Sequence, residues 1–105
     1  MPQRPSIVSY QHLRDYTEKF SWIDRKTGLR QIGFNPPKSA LKVERHPFFI
    51  RYITQSGNVE SGHAVCIKVD LRRQQRLIQF VESQEIRRVC DYLVIEVDGT
   101  YFVTN

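Results

Sequence analysis

Residues 63–103 read HAVCIKVDLRRQQRLIQFVESQEIRRVCDYLVIEVDGTYFV, and their pattern decides the fold class. Apolar and polar residues alternate along most of this stretch, and a short polar break recurs every few residues. That is the period-two signature of half-buried strands joined by tight turns. His63–Asp70 is expected to be a strand, with Val65, Ile67 and Val69 on one face and Cys66 and Lys68 on the other. Leu71–Gln75 turns the chain, Arg76–Glu82 returns, and Ser83-Gln84 makes a second break. Glu85–Val89 reads as a short strand. One helical turn is the alternative, because Ile86, Val89, Cys90 and Leu93 also fit helical spacing. Leu93–Val97 is the clearest strand, with Leu93, Ile95 and Val97 inward and Val94 outward. Asp98-Gly99 is the strongest hairpin signal in the chain, and Thr100–Thr104 closes the meander.

Upstream, Phe48–Thr54 (FFIRYIT) is rich in aromatic and β-branched residues and predicts another strand, followed by a polar loop over Gln55–Gly62. Residues 21–34 predict a hairpin that turns at Arg25–Gly28 and stops at Asn35-Pro36-Pro37. Lys38–His46 lies between Pro37 and Pro47 and reads as a connecting loop or one short helix. Over residues 10–20, Leu13, Tyr16 and Phe20 recur at helical spacing behind Ser9, a good N-cap. This predicts an amphipathic helix of about three turns packed on the sheet. Residues 1–8 form a flexible lead-in and 9–105 a single globular domain.

The expected fold is therefore mainly β, of the α+β kind: an N-terminal amphipathic helix, then a twisted antiparallel meander. A short meander tends to curl into a small barrel, which removes its exposed edges. Over residues 48–104 the architecture resembles the SH3-like small barrels in strand number and loop spacing. No family-specific motif accompanies that resemblance.

The bulk composition suits one ordinary core, with 40% hydrophobic and 26% charged residues in 105. No apolar run approaches a membrane span, and no apolar leader follows Met1, so the expected setting is cytoplasmic, without a membrane partner. Cys66 and Cys90 sit among apolar neighbours and read as buried, reduced thiols.

The net charge of +5 is unevenly spread. Arg25, Lys26, Arg30, Lys38, Lys42, Arg45 and Arg51 stand against Glu44 alone, so residues 25–51 carry +6 while the flanking stretches nearly balance. Trp22, Phe34, Phe48, Phe49 and Tyr52 are interleaved with these cations. Cations track phosphates, and aromatic faces stack on bases. Arg72, Arg73 and Arg76, in or beside a predicted turn, form a secondary basic group, with Arg87 and Arg88 at the neighbouring turn.

Other chemistries lack a pattern. His63-x-x-Cys66 has no second ligand pair, and residues three apart on a strand face opposite ways, so no metal is expected. His12, His46 and His63 are scattered, the carboxylates sit at strand ends or outward positions, and no phosphate-binding glycine motif is present. Neither an enzyme nor a cofactor is expected. The leading expectation is a small, non-catalytic, sequence-nonspecific nucleic-acid-binding module. The alternative is a protein-interaction or homo-oligomerisation module.

Overall fold

The computed structural model describes residues 7–103. The chain is mainly β, built from two sheets. Strand β1 (Ile7–Ser9) leads into a 3-10 turn at Tyr10–His12 and a single helical turn, α1 (Arg14–Thr17). Then come β2 (Phe20–Ile23), β3 (Arg30–Gly33) and β4 (Leu41–Arg45), which form a three-stranded sheet in the order β3-β2-β4. The rest of the chain supplies β5 (Phe48–Ile53), β6 (Val59–Asp70), β7 (Gln75–Phe80) and β8 (Ile86–Cys90), a second 3-10 turn (Asp91–Leu93), β9 (Val94–Val97) and β10 (Thr100–Val103). With β1 these make a seven-stranded sheet in the order β1-β10-β9-β5-β6-β7-β8. All its pairs are antiparallel except β1 with β10.

The core lies on one face of the large sheet. Phe48, Ile50 and Tyr52 alternate inward from β5 and meet Ala64, Cys66, Ile78, Val89, Val94, Val97 and Phe102, with Leu13 as the lid. Hydrogen bonding leaves the large sheet open, with β1 and β8 as its edges, so it is not a closed barrel. It is nonetheless strongly bent. Only the Asp91–Leu93 turn joins β8 to β9, yet β7, β6 and β5 stand between them in the sheet. A flat sheet would separate them by roughly 19 Å, at about 4.8 Å per strand. Four residues of chain reach at most about 14 Å.

Three readings of the sequence are corrected. The helix over residues 10–20 breaks into two short turns. Leu13 and Thr17 do pack as a helical pair, and Ser9 caps the first turn by accepting from the Gln11 N–H. But the Lys19 carbonyl accepts from the His46 N–H, and Phe20 pairs with Gly33 and Arg45. Sheet pairing outweighs a helix that is marginal on its own. For the same reason Leu41–Arg45 is a strand on β2, neither loop nor helix, although its composition favours helix. Third, β-bulges break two of the expected alternations, although Cys66 and Val97 are buried as expected. A register shift between Cys66 and Lys68 leaves Ala64, Cys66 and Val69 on the core side, with Ile67 exposed. A shift opposite β9 brings in both Val94 and Val97. Ile7 and Val8, read as part of the lead-in, pair with β10, and the rest of that stretch, residues 1–6, lies outside the described residues.

Candidate nucleic-acid interface

The three-stranded sheet gathers most of the cationic segment. Its β2–β3 turn is built on Asp24, whose carboxylate accepts from the Thr27 N–H at 2.9 Å and the Thr27 hydroxyl at 2.8 Å. These bonds hold the Asp24 carboxyl below its ordinary pKa. Gly28 closes the turn at φ +72°, a conformation that suits glycine. Arg25 and Lys26 project from this turn into solvent.

Topology brings three more cations to the same end. β3 and β4 both run antiparallel to β2, on opposite sides of it, so they are parallel to each other. The connection 34–40 therefore crosses the sheet and returns to the end where β2 finished. Ile23 is flanked there by Arg30 on β3 and Leu41 on β4. The Arg25 Nε donates to the Ser39 carbonyl at 3.2 Å, tying the turn to the connection beside Lys38. Lys42 follows at a bulge, with φ +50°. Arg25, Lys26, Arg30, Lys38 and Lys42 thus share one tip. A shallow cavity of about 140 Å³ opens beside them, lined by Ser21, Trp22, Ile23, Arg30, Lys42 and Glu44.

The remaining predicted residues separate. Arg45 stands at the other end of the sheet, its guanidinium 4.6 Å from the centre of the Phe20 ring. Arg51 is on β5 and pairs with Glu96 at 3.5 Å. Arg72 and Arg73 lie exposed in the β6–β7 turn, with Arg73 leaning on Asp70 at 3.9 Å. Arg76 points into the protein, paired with Glu18 and Asp91, and so leaves the secondary patch. Burial alone would pull its pKa down, but the bond to Glu18 and the charge of Asp91 raise it overall. Arg87 is tied to Glu85 and Glu60. Among the described residues, Arg25, Lys26, Arg30, Lys38, Lys42 and Arg45 form no ion pair.

The aromatic half of the expectation fares differently. Phe48 and Tyr52 are core residues. Phe34 lies under the Arg14 guanidinium, and Phe49 meets the His63 ring edge-on. Trp22 is half-buried across Gly33, where an added Cβ would stand 3.1 Å from the indole. The tip is thus equipped for phosphate contact more than for base stacking. The exposed apolar side chains of the small sheet, Leu29 at 62% and Ile32 at 52% with Leu41 and Val43, were not singled out from the sequence.

His63 lines a cavity of about 580 Å³ together with Glu60, Glu82 and Glu85. His12 is exposed, the Nδ1 of His46 is buried without a partner, and no group of three His, Cys, Asp or Glu is placed to hold a metal. Both thiols are free and buried, and burial pushes the Cys66 thiol above its ordinary pKa against the charge of Arg76. No described helix is long and apolar enough to cross a membrane. Comparison with family models, with curated proteins and with solved structures finds no match for the chain.

Proposed function

We propose that this protein is a small non-catalytic module that binds the phosphate backbone of nucleic acid through the tip of its three-stranded sheet. The observation that carries the reading is the convergence of Arg25, Lys26, Arg30, Lys38 and Lys42, none of them ion-paired among the described residues. The nearest acid of that turn, Asp24, has its carboxylate engaged by Thr27. Clustered, unpaired cations displace condensed counterions from a polyanion, and this favours binding without sequence choice. The bent run β9-β5-β6-β7-β8, with β9 returning to pair β5, supports an SH3-like scaffold that presents the small sheet as an appendage. Two free thiols fit a reducing compartment such as the cytoplasm.

The test is binding of labelled single- and double-stranded oligonucleotides across a salt series. The expected result is a linear fall of log affinity with log salt, at about −0.9 per neutralised phosphate on duplex DNA. No affinity at low salt, or affinity indifferent to salt, overturns the reading. A second reading, a protein partner for this surface, is favoured by exposed Leu29, Ile32, Leu41 and Val43. It predicts salt-insensitive binding that disappears in Leu29→Ser.

A further inference from the structure

We propose that the outer surface of β6, β7 and β8 carries a second anion site, a pocket for a phosphomonoester group held by Lys68, Arg73 and Arg88. The pocket encloses about 120 Å³, and its walls include these three cations with Gln75 and Leu77. It belongs to the large sheet and does not rest on the reading of the small-sheet tip.

A bulge builds the pocket. Cys66 pairs with Ile78 and Lys68 with Leu77, so Ile67 is an extra residue on β6. That insertion turns Lys68 outward, into a row with Leu77 and, across β7, with Arg88. Bulges commonly re-aim a side chain beside a binding site. Arg73 enters from the β6–β7 turn, where an Asp70 carboxylate oxygen accepts its backbone N–H at 3.3 Å and Arg73 Nε lies 3.9 Å from the other oxygen.

The charges point to the ligand. Among the described residues, Lys68 and Arg88 have no acidic partner, yet they flank one apolar side chain across three neighbouring strands. Lys68 and Arg88 stand two strand spacings apart, about 10 Å, so an anion over Leu77 lies within reach of both long side chains. Arg76 also borders the pocket, but Glu18 and Asp91 neutralise it. Three cations against the single carboxylate of Asp70 leave two positive charges. A phosphomonoester carries about −1.5 to −2 near neutral pH, whereas a backbone phosphodiester carries one charge. The forked guanidinium of Arg88 suits paired phosphate oxygens.

Such a group occurs on a small phosphate ester or at the 5′ end of a nucleic acid. The experiment records amide shifts of the whole protein during titration with phenyl phosphate, with sodium chloride at matched ionic strength as control. Saturable shifts confined to Lys68, Arg73, Leu77 and Arg88 are expected, weakened about tenfold in Arg88→Gln and in Lys68→Gln. They should persist in Lys26→Gln, which separates this site from the tip. A parallel arm compares 5′-phosphorylated with 5′-hydroxyl oligonucleotides. A gain from the phosphate that Arg88→Gln abolishes assigns the source to nucleic-acid ends. The absence of that gain, with phenyl phosphate still bound, assigns it to a small ester. Unsaturable shifts, shifts spread over every basic residue, or shifts unchanged in both variants overturn the proposal.

Discussion

Arg76 and Asp91 meet in the interior, with Nε 3.1 Å from Oδ1, although they are fifteen residues apart and lie on different elements. The same guanidinium also donates to the Thr17 hydroxyl and to Glu18, so one side chain of β7 fastens α1 and the residue after it to the 3-10 turn that follows β8. Burial pushes the Asp91 carboxyl up, and the Arg76 charge draws back only part of that. Removing Arg76 leaves the Asp91 carboxylate buried and unpaired, whereas removing Asp91 leaves the guanidinium with Glu18 as its acidic partner. Arg76→Ala should cost about 3–5 kcal/mol and Asp91→Ala less, each read as a lower urea midpoint with an unchanged slope. Glu18→Gln should cost less, because Glu18 is partly solvated. Equal, small losses in all three would show that the cluster does not hold the two regions together.

The position of Arg51 supplies an internal control for the basic tip. It lies in the same cationic stretch of sequence but is paired with Glu96 on β9. The combined variant Arg25→Gln, Lys26→Gln, Lys38→Gln, Lys42→Gln should flatten the salt dependence of oligonucleotide binding by about 0.9 for each phosphate that is no longer neutralised. Its urea midpoint should hardly move, since these side chains are exposed. Arg51→Gln should leave the slope unchanged. Equal effects from both variants would mean that total charge matters and the tip does not.

These contrasts show where residue patterns were informative. β5 and the Asp98-Gly99 turn were legible because alternation and turn chemistry act locally, and both turn residues do take positive φ. The unbroken alternation read for β6 and β9 was not, because one inserted residue at a bulge exchanges the faces beyond it while the string of apolar letters stays the same. Phe20 continued a helical stripe in sequence but was claimed by Gly33 and Arg45. The cationic run was legible as charge, but its gathering at one tip was not, because Leu41–Arg45 read as loop or helix and becomes a strand only by pairing with β2. The fates of Arg51 and Arg76 were hidden, since Glu96, Glu18 and Asp91 reach them only through the tertiary fold.

Gly33 gives the small sheet its own reporter. Trp22 is the single tryptophan of the chain, and its indole lies across this glycine. A Cβ at Gly33 would stand 3.1 Å from the indole, closer than ordinary van der Waals contact. Gly33→Val should push the ring toward water, red-shift its emission and cost about 1–3 kcal/mol. Unshifted emission in a folded variant would show that Trp22 does not pack there.

Alkaline titration tests the large-sheet core. Burial raises the Cys66 thiol above its ordinary 9.0. Burial, together with the 2.7 Å hydrogen bond from the hydroxyl to Glu60 and the charge of that carboxylate, raises Tyr52 above its ordinary 10.0. Both groups keep their protons in the native state at a pH where the unfolded chain releases them. The unfolded state then binds fewer protons, so stability must fall as pH rises. The stability these groups contribute should be fully present below about pH 9, decline first through Cys66, and decline further above about pH 10 through Tyr52. Tyr52→Phe should cost about 1 kcal/mol at neutral pH from the missing hydrogen bond and flatten only the upper part of the decline. In the native protein at neutral pH, a thiol reagent should label Cys66 only as fast as the chain unfolds. Rapid labelling, or urea midpoints flat from pH 8 to 11, would place Cys66 and Tyr52 in contact with solvent.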